Sequence, residues 1–456
     1  MKVHDGDAGL VSDEELRRGP RRPWLGPHRP VLQRLAKPII DVLHVEAAGG
    51  VALLVAAMVA LAWANSPWQD AYEALWTTDA GLNVGGFELR EDLRHWVNDG
   101  LMVLFFFVVG LEIKTELVAG ELADARRAAL PIAAAAGGMA IPALVYLAVN
   151  ASGGALEGWG VPVATDIAFA VGVVSLLGPR VPQSLKVFLL ALAIADDVGA
   201  ILVIGLFYTE QVSLGWLAAA ASLVGAVVLM RWLRIWYMPA YIAVGVGVWL
   251  ATFESGVHAT VAGVTLGLLA PARPLVTRRQ ADRLRADGIA QPDGGNAAGQ
   301  RRDVAFLVRE SQPVAERVQE ILHPWTSYVV IPVFALANAG VSFDRQMLAD
   351  AITSPVTLGV AAGLVVGKPV GILGGAWMAT RLGLASVPSG VTWRQLAGVG
   401  AVAGIGFTMS LFIAGLAFSE GSDTFEQAKL GIFAASLAAA ALGAIVLRSQ
   451  PGHDGG

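Results

Sequence analysis

The strongest constraint on this chain is a recurring run of apolar residues about as long as a lipid bilayer is thick. About 20 residues of helix cross the hydrocarbon layer. Such stretches recur near 47–64, 96–113, 128–149, 160–178, 186–207, 213–230, 239–252, 257–271, 325–342, 355–379, 395–418 and 426–447. Two of the twelve, 239–252 and 257–271, are short, and the TFESG turn lies between them. They also read as one broken helix, which makes the count odd. Only 15% of the residues are charged and 55% are hydrophobic, against roughly 25% charged in soluble globular proteins. The 53 Gly and 13 Trp suit close helix packing and aromatic rings at a membrane interface. The fold class read from this pattern is an all-α polytopic membrane protein with twelve transmembrane helices.

Lys and Arg decide between the two counts. With twelve spans, 27 of them fall in one set of connections and termini, and only Arg90, Arg94, Arg345 and Lys429 in the other. That asymmetry is the positive-inside pattern, with both termini cytoplasmic. Merging the two short spans puts the nine Arg of 273–317 on the opposite side. Residues 1–44 are polar, Arg- and Pro-rich and lack an apolar core, so they read as a flexible basic arm and not a cleaved signal. The domain organisation is then this arm, a twelve-helix unit over 45–448, and a short cytoplasmic tail at 449–456. Within the unit, 65–95 is an external connection long enough for a small hairpin, and 272–315 a flexible cytoplasmic linker. There is no Cys, which excludes disulfides, thiolate catalysis and zinc–thiolate sites.

Against this background the interior charges stand out. An ionisable group at a helix centre costs roughly 2.5–3.5 kcal/mol on insertion scales and is a functional candidate by default. The central ones are Asp166, Asp196, Asp197 and Lys368; Glu112 and His258 lie nearer span ends. Asp196 and Asp197, in LAIADDVGAI, are the only charges from Val187 to Phe207. Neighbours on a helix point about 100° apart, so one carboxylate can line a cavity while the other reaches an adjacent helix. The alternative, a soluble strand ending in a metal-binding Asp pair, conflicts with VGAILVIGLFY, which continues the apolar run. In GVPVATDIAFAVGVV, Pro162 removes a backbone donor and Thr165 and Asp166 compete for backbone groups, a plausible interruption of the fourth span. AGIGFTMS, with Gly404 and Gly406, is a matching irregularity in the eleventh. Interrupted helices survive at membrane depth only where they line a protein cavity, and a corresponding pair points to a transporter's binding site. Lys368, in VVGKPVGI, is the only basic residue in the middle of a span. Its charge calls for a buried Asp partner; the residues alone do not say which.

The ordered motifs resemble one family. NDGLMVLFFFVVGLEIKTEL (98–117), PVATDIAFA (162–170), ALAIADDVGA (191–200) and SGVHATVAGV (255–264) come first. LHPWTSYVVIPVFALANAGV (322–341), GKPVGI (367–372) and GIGFTMSLFIAGLAF (404–418) follow. Together they resemble the NhaA-type bacterial sodium/proton antiporters from about Ala47 to Leu447. That family is itself a standard example of inverted-repeat architecture. The resemblance therefore implies, and the residues do not derive, two three-helix repeats, spans three to five and ten to twelve, with spans four and eleven broken and crossing. It implies Asp197 as the main sodium and proton carboxylate, Asp196 as its essential neighbour pairing with Lys368, and Thr165 and Asp166 as support at the polar break, Thr165 offering an oxygen to sodium. Asp99 matches an acidic position lining the route, and Glu112, Glu116, His258 and His323 match positions tied to a cytoplasmic funnel and pH response. One departure is that Gln319-Glu320 stands before LHPW where the family usually has Glu-His.

The expected activity is electrogenic exchange of sodium, or lithium, for more than one proton, pH-regulated, in a bacterial inner membrane and serving pH and sodium homeostasis. A channel calls for rings of charge along a hydrated path, and one Asp pair with one Lys fits a stoichiometric carrier better. A sodium symporter for an organic acid shares the broken-helix logic but needs a larger polar pocket. A membrane enzyme needs a nucleophile–base set or metal cluster, and the seven His are scattered in sequence. The reading is accordingly a transporter, not an enzyme, with no cofactor beyond the transported Na+, Li+ and H+. Its partners are the bilayer and, by resemblance, a second copy contacting through 65–95, with no nucleic acid.

Overall fold

The computed structural model describes residues 48–84, 87–153, 155–209, 212–233, 235, 237–274, 312–343 and 345–449. The basic arm 1–44, nearly all of the 272–315 connection and the tail after Ser449 lie outside the described residues.

Helices dominate. α1 (Ala48–Ala64) turns by 118° into the short α2 (Gln69–Trp76). An antiparallel hairpin follows, β1 (Asp79–Val84) with β2 (Phe87–Asp92), in register from Asp79 opposite Asp92 to Val84 opposite Phe87. It lies in the connection read as long enough for one. A π-helical turn, Trp96–Leu101, leads into α3 (Met102–Ala119). Then come α4 (Ala125–Asn150), a 3-10 segment Leu156–Val163, α5 (Ile167–Leu176), α6 (Gln183–Phe207), α7 (Leu214–Trp232), α8 (Met238–Glu254) and α9 (Thr260–Leu269). The last part holds α10 (Val314–Trp325), α11 (Ile331–Asn338), α12 (Arg345–Thr353), α13 (Pro355–Ala362), α14 (Lys368–Arg381), α15 (Trp393–Val402), α16 (Phe407–Ala417) and α17 (Asp423–Arg448).

Among the described residues, seven helices are long and apolar enough to cross a membrane, or nine if each of two bent pairs is one crossing. Met238–Glu254 and Thr260–Leu269 are apolar but shorter. The outer surface carries large apolar side chains with no protein cover, such as Leu206, Leu214, Trp232 and Leu437, a surface for lipid and not for water. The protein is a multi-pass membrane protein.

Three boundaries differ from the sequence reading. Helix begins at Val314 instead of 325, because VAERVQEILHPW is amphipathic and too polar to register as a span. α3 continues to Ala119 through Glu112, Lys114 and Glu116 for the same reason. α12, a short surface helix, gave no apolar signal.

Backbone contact between helices accounts for much of the Gly. α4 and α14 approach so closely that a Cβ on Gly371 would lie 2.1 Å from the Gly137 carbonyl oxygen, and one on Gly375 2.1 Å from that of Ala133. Gly367, Gly371 and Gly375 repeat every fourth residue, so they share one helix face. This seam fixes α14, and with it Lys368 in its first turn, against α4, which also packs against α6, the helix of Asp196 and Asp197.

Candidate ion site

Each polar interruption is satisfied by the other. The 3-10 segment ends at Val163, and Ala164 and Asp166 are extended before α5 begins. On the other side of the crossing, α15 stops at Val402 and α16 starts at Phe407, with a 50° bend between them. Asp166 N–H donates to the Ile405 carbonyl at 2.7 Å, and the Thr165 hydroxyl donates to the Ala403 carbonyl at 2.9 Å. Freed backbone groups at membrane depth need such partners. Glycine suits the close approach: a Cβ on Gly406 would sit 3.0 Å from the Ala164 carbonyl oxygen across the crossing, and one on Gly404 2.4 Å from the Leu364 carbonyl oxygen.

The Asp166 carboxylate closes the crossing. It accepts from Phe169 N–H at 3.1 Å in the first turn of α5, and from Thr408 N–H at 3.0 Å and Thr408 Oγ1 at 2.6 Å in the first turn of α16. One negative charge thus meets the positive ends of two helices. Lys368 does the converse: its ammonium donates to the Val163 carbonyl, at the C-terminal end of the 3-10 segment. Sequence reasoning gave Thr408 no role, although GFTMS contains it. Nothing in a one-dimensional pattern says that a Thr in one span faces an Asp in another.

Lys368 also answers the question of its partner. Its Nζ donates to Asp196 Oδ1 at 3.0 Å and Oδ2 at 2.8 Å, with the two side chains only 1% and 2% exposed. Asp197, on the next position of α6, is 6% exposed. Among the described residues no hydrogen bond reaches its carboxylate, while Asp196, Glu112, Asp166 and Lys368 lie within electrostatic range. One carboxylate of the pair is therefore fully engaged and the other is available. An available buried carboxylate is the group that can take a cation.

The remaining candidates divide between the two ends of α3. Asp99 lies in the π-helical turn, and its carbonyl accepts from Trp249 Nε1 at 2.7 Å. His258 lies at the same end; its Nε2 is 2.6 Å from the Tyr208 carbonyl, and it is within electrostatic range of Asp99. Glu112 and Glu116 follow along α3, which puts Glu112 about 20 Å from Asp99 at the helical rise. Glu116 Oε1 accepts from Glu121 N–H at 2.8 Å, and His323 is exposed on α10. His258 is thus not gathered with Glu112 and Glu116 into one group. Sequence analysis also missed an amide pair at the Asp99 end, where Asn338 Nδ2 donates to Asn98 Oδ1 at 2.8 Å.

The comparisons with known proteins agree over most of the chain. Residues 40–447 match the protein family described as Na+/H+ antiporter 1. A protein of Sorangium cellulosum named Na(+)/H(+) antiporter NhaA 2 is 47% identical over 451 residues, covering 96% of each chain. One of Frankia alni named Na(+)/H(+) antiporter NhaA 3 is 46% identical, covering 94% of this chain and 92% of its own. One of Rhodopirellula baltica named Na(+)/H(+) antiporter NhaA is 47% identical, covering 90% and 94%.

Proposed function

The chain belongs to the Na+/H+ antiporter 1 family, and from that premise we propose that it exports sodium, or lithium, from the cytoplasm in exchange for protons, with Asp197 as the carrier carboxylate. The single observation that supports this assignment is the contrast within the Asp pair: Asp196 is held by Lys368, while Asp197 is buried with no hydrogen bond among the described residues. Sodium takes oxygen ligands. A carboxylate in a low-dielectric interior resists standing charged and alone. It accepts a proton or a sodium ion, not both, and if the site changes sides only when neutralised, exchange is obligatory.

In this reading Thr165 and Asp166 support the site. Asp166 and Lys368 also neutralise the helix ends that meet at the crossing. The Asp196–Lys368 pair carries the second proton, released when sodium binding displaces the ammonium, so that exchange moves net charge. The two carboxylates and the amine titrate as one coupled system. Asp99 lines the route, and Glu112, Glu116, His258 and His323 set the pH response. The architecture is twelve crossings with inverted repeats, both termini in the cytoplasm of a bacterial cell and the unit in its inner membrane, working as a homodimer through 65–95 to serve pH and sodium homeostasis. These details rest on the resemblance and on the Lys/Arg distribution.

Acid-loaded vesicles containing the full chain test the proposal. Added sodium, with no organic substrate, is expected to raise internal pH in wild type and to leave it at background in Asp197→Asn. An unchanged rate in that variant overturns the assignment. An imposed membrane potential is expected to speed or slow the wild-type exchange, and indifference to potential overturns the electrogenic part.

A further inference from the structure

A buried cationic network outside the ion site ties the end of α16 to the Asp99 end of α3. Arg94, two residues before the π-helical turn that holds Asp99, is 11% exposed in its side chain. It reaches Glu73 of α2 at 3.1 Å and Glu420, in the link between α16 and α17, at 3.4 Å. Lys429 of α17 is 5% exposed and donates to Glu426 Oε1 at 2.8 Å and to the Gly340 carbonyl, just past α11, at 3.2 Å. Its Nζ lies 4.3 Å from the centre of the Phe425 ring. Tyr72 of α2 completes the knot: its hydroxyl donates to the Leu336 carbonyl at 2.8 Å and accepts from Gly340 N–H at 3.2 Å.

Two features make this a contact that opens instead of a permanent tie. Its outward carboxylates are exposed, Glu73 by 60% and Glu420 by 28%, so both Arg94 bridges are screened and weak. Arg94 Nε is buried with no hydrogen-bond partner, so the guanidinium is incompletely satisfied where it stands. The position is also decisive. Glu420 and His95 lie within electrostatic range of Asp99, and Glu420 follows the helix whose first turn holds Asp166. Any displacement of α16 and α17 against α3 and α11 has to break the Arg94–Glu420 and Lys429–Gly340 contacts.

We propose that Arg94 and Lys429 are positioning residues forming a clasp over the Asp99 end of the ion route, closed in this structure and released once in each exchange cycle. The inference rests on the exchange reading above. The chain has no Cys, so introduced thiols are the only ones present. In vesicles, Arg94→Cys with Glu420→Cys is joined by a flexible bis-methanethiosulfonate reagent. Joining is expected to cut sodium/proton exchange at least tenfold, and reduction to restore it, with either single variant unaffected by the reagent. Full exchange in the joined protein overturns the clasp. A reduced double variant that never exchanges, beside an inactive wild type, instead sinks the exchange reading. A second measurement needs no transport. Val97→Cys, buried beside Asp99, is expected to react several-fold faster with a water-soluble thiol reagent when combined with Glu420→Gln or Lys429→Met. Labelling in both combinations no faster than in Val97→Cys alone overturns the proposal.

Discussion

Lys368→Met is the perturbation whose cost follows most directly from the structure. The ammonium contributes both hydrogen bonds to the Asp196 carboxylate, at 2.8 and 3.0 Å, in a site where neither side chain meets solvent. Methionine fills a similar volume but leaves that carboxylate charged and unpaired, a change that costs about 3–5 kcal/mol. Asp196→Asn leaves the converse problem, a buried ammonium that keeps neutral acceptors such as the Val163 carbonyl but loses its hydrogen-bonded counter-charge. The double variant removes both charges. It loses the hydrogen bonds without stranding an ion, and is expected to cost only about 1–2 kcal/mol. A titration with denaturing detergent, followed by tryptophan fluorescence, reads all four proteins. The expected coupling is at least about 3 kcal/mol. If the two single costs add in the double variant to within about 0.5 kcal/mol, the pair is not an energetic unit and the argument fails.

Three further outcomes follow from the packing and the crossing. Gly371→Ala puts a methyl 2.1 Å from the Gly137 carbonyl oxygen and is expected to cost about 1–3 kcal/mol. Gly374→Ala, with nothing within 4 Å, is expected to be neutral or to gain up to about 1 kcal/mol from helix propensity; the same unfolding titration separates them. Thr408→Val removes the 2.6 Å hydrogen bond to Asp166 and is expected to cost about 1.5–3 kcal/mol, with exchange slowed at every sodium concentration. Tyr72→Phe strips two backbone carbonyls and Gly340 N–H of their partner. It is expected to cost about 1–3 kcal/mol and to speed hydrogen exchange at Gly340.

What was legible in the sequence is what a bilayer enforces locally. Apolar length and the rarity of interior charge are properties of single segments, and they located the helical regions and Asp166, Asp196, Asp197 and Lys368 as residues needing an explanation. What stayed hidden depends on which segments meet. The partner of Lys368 could have been any buried Asp; only the seating of α14 against α4 through Gly137, Gly371 and Gly375 decides for Asp196. Likewise, nothing in GFTMS marks Thr408 as the group that holds Asp166 across the crossing. Arg94 and Lys429 were the most thoroughly disguised. In sequence they are sparse cations of one face, counted for topology alone, yet in the fold Lys429 is as buried as Asp197. A residue's position relative to a span end therefore says little about its solvation once neighbouring links fold over it. The same logic ranks the tests. Substitutions at Asp197 examine what the bilayer demands of one segment, while those at Lys368, Thr408 and Lys429 examine whether the segments are assembled as described.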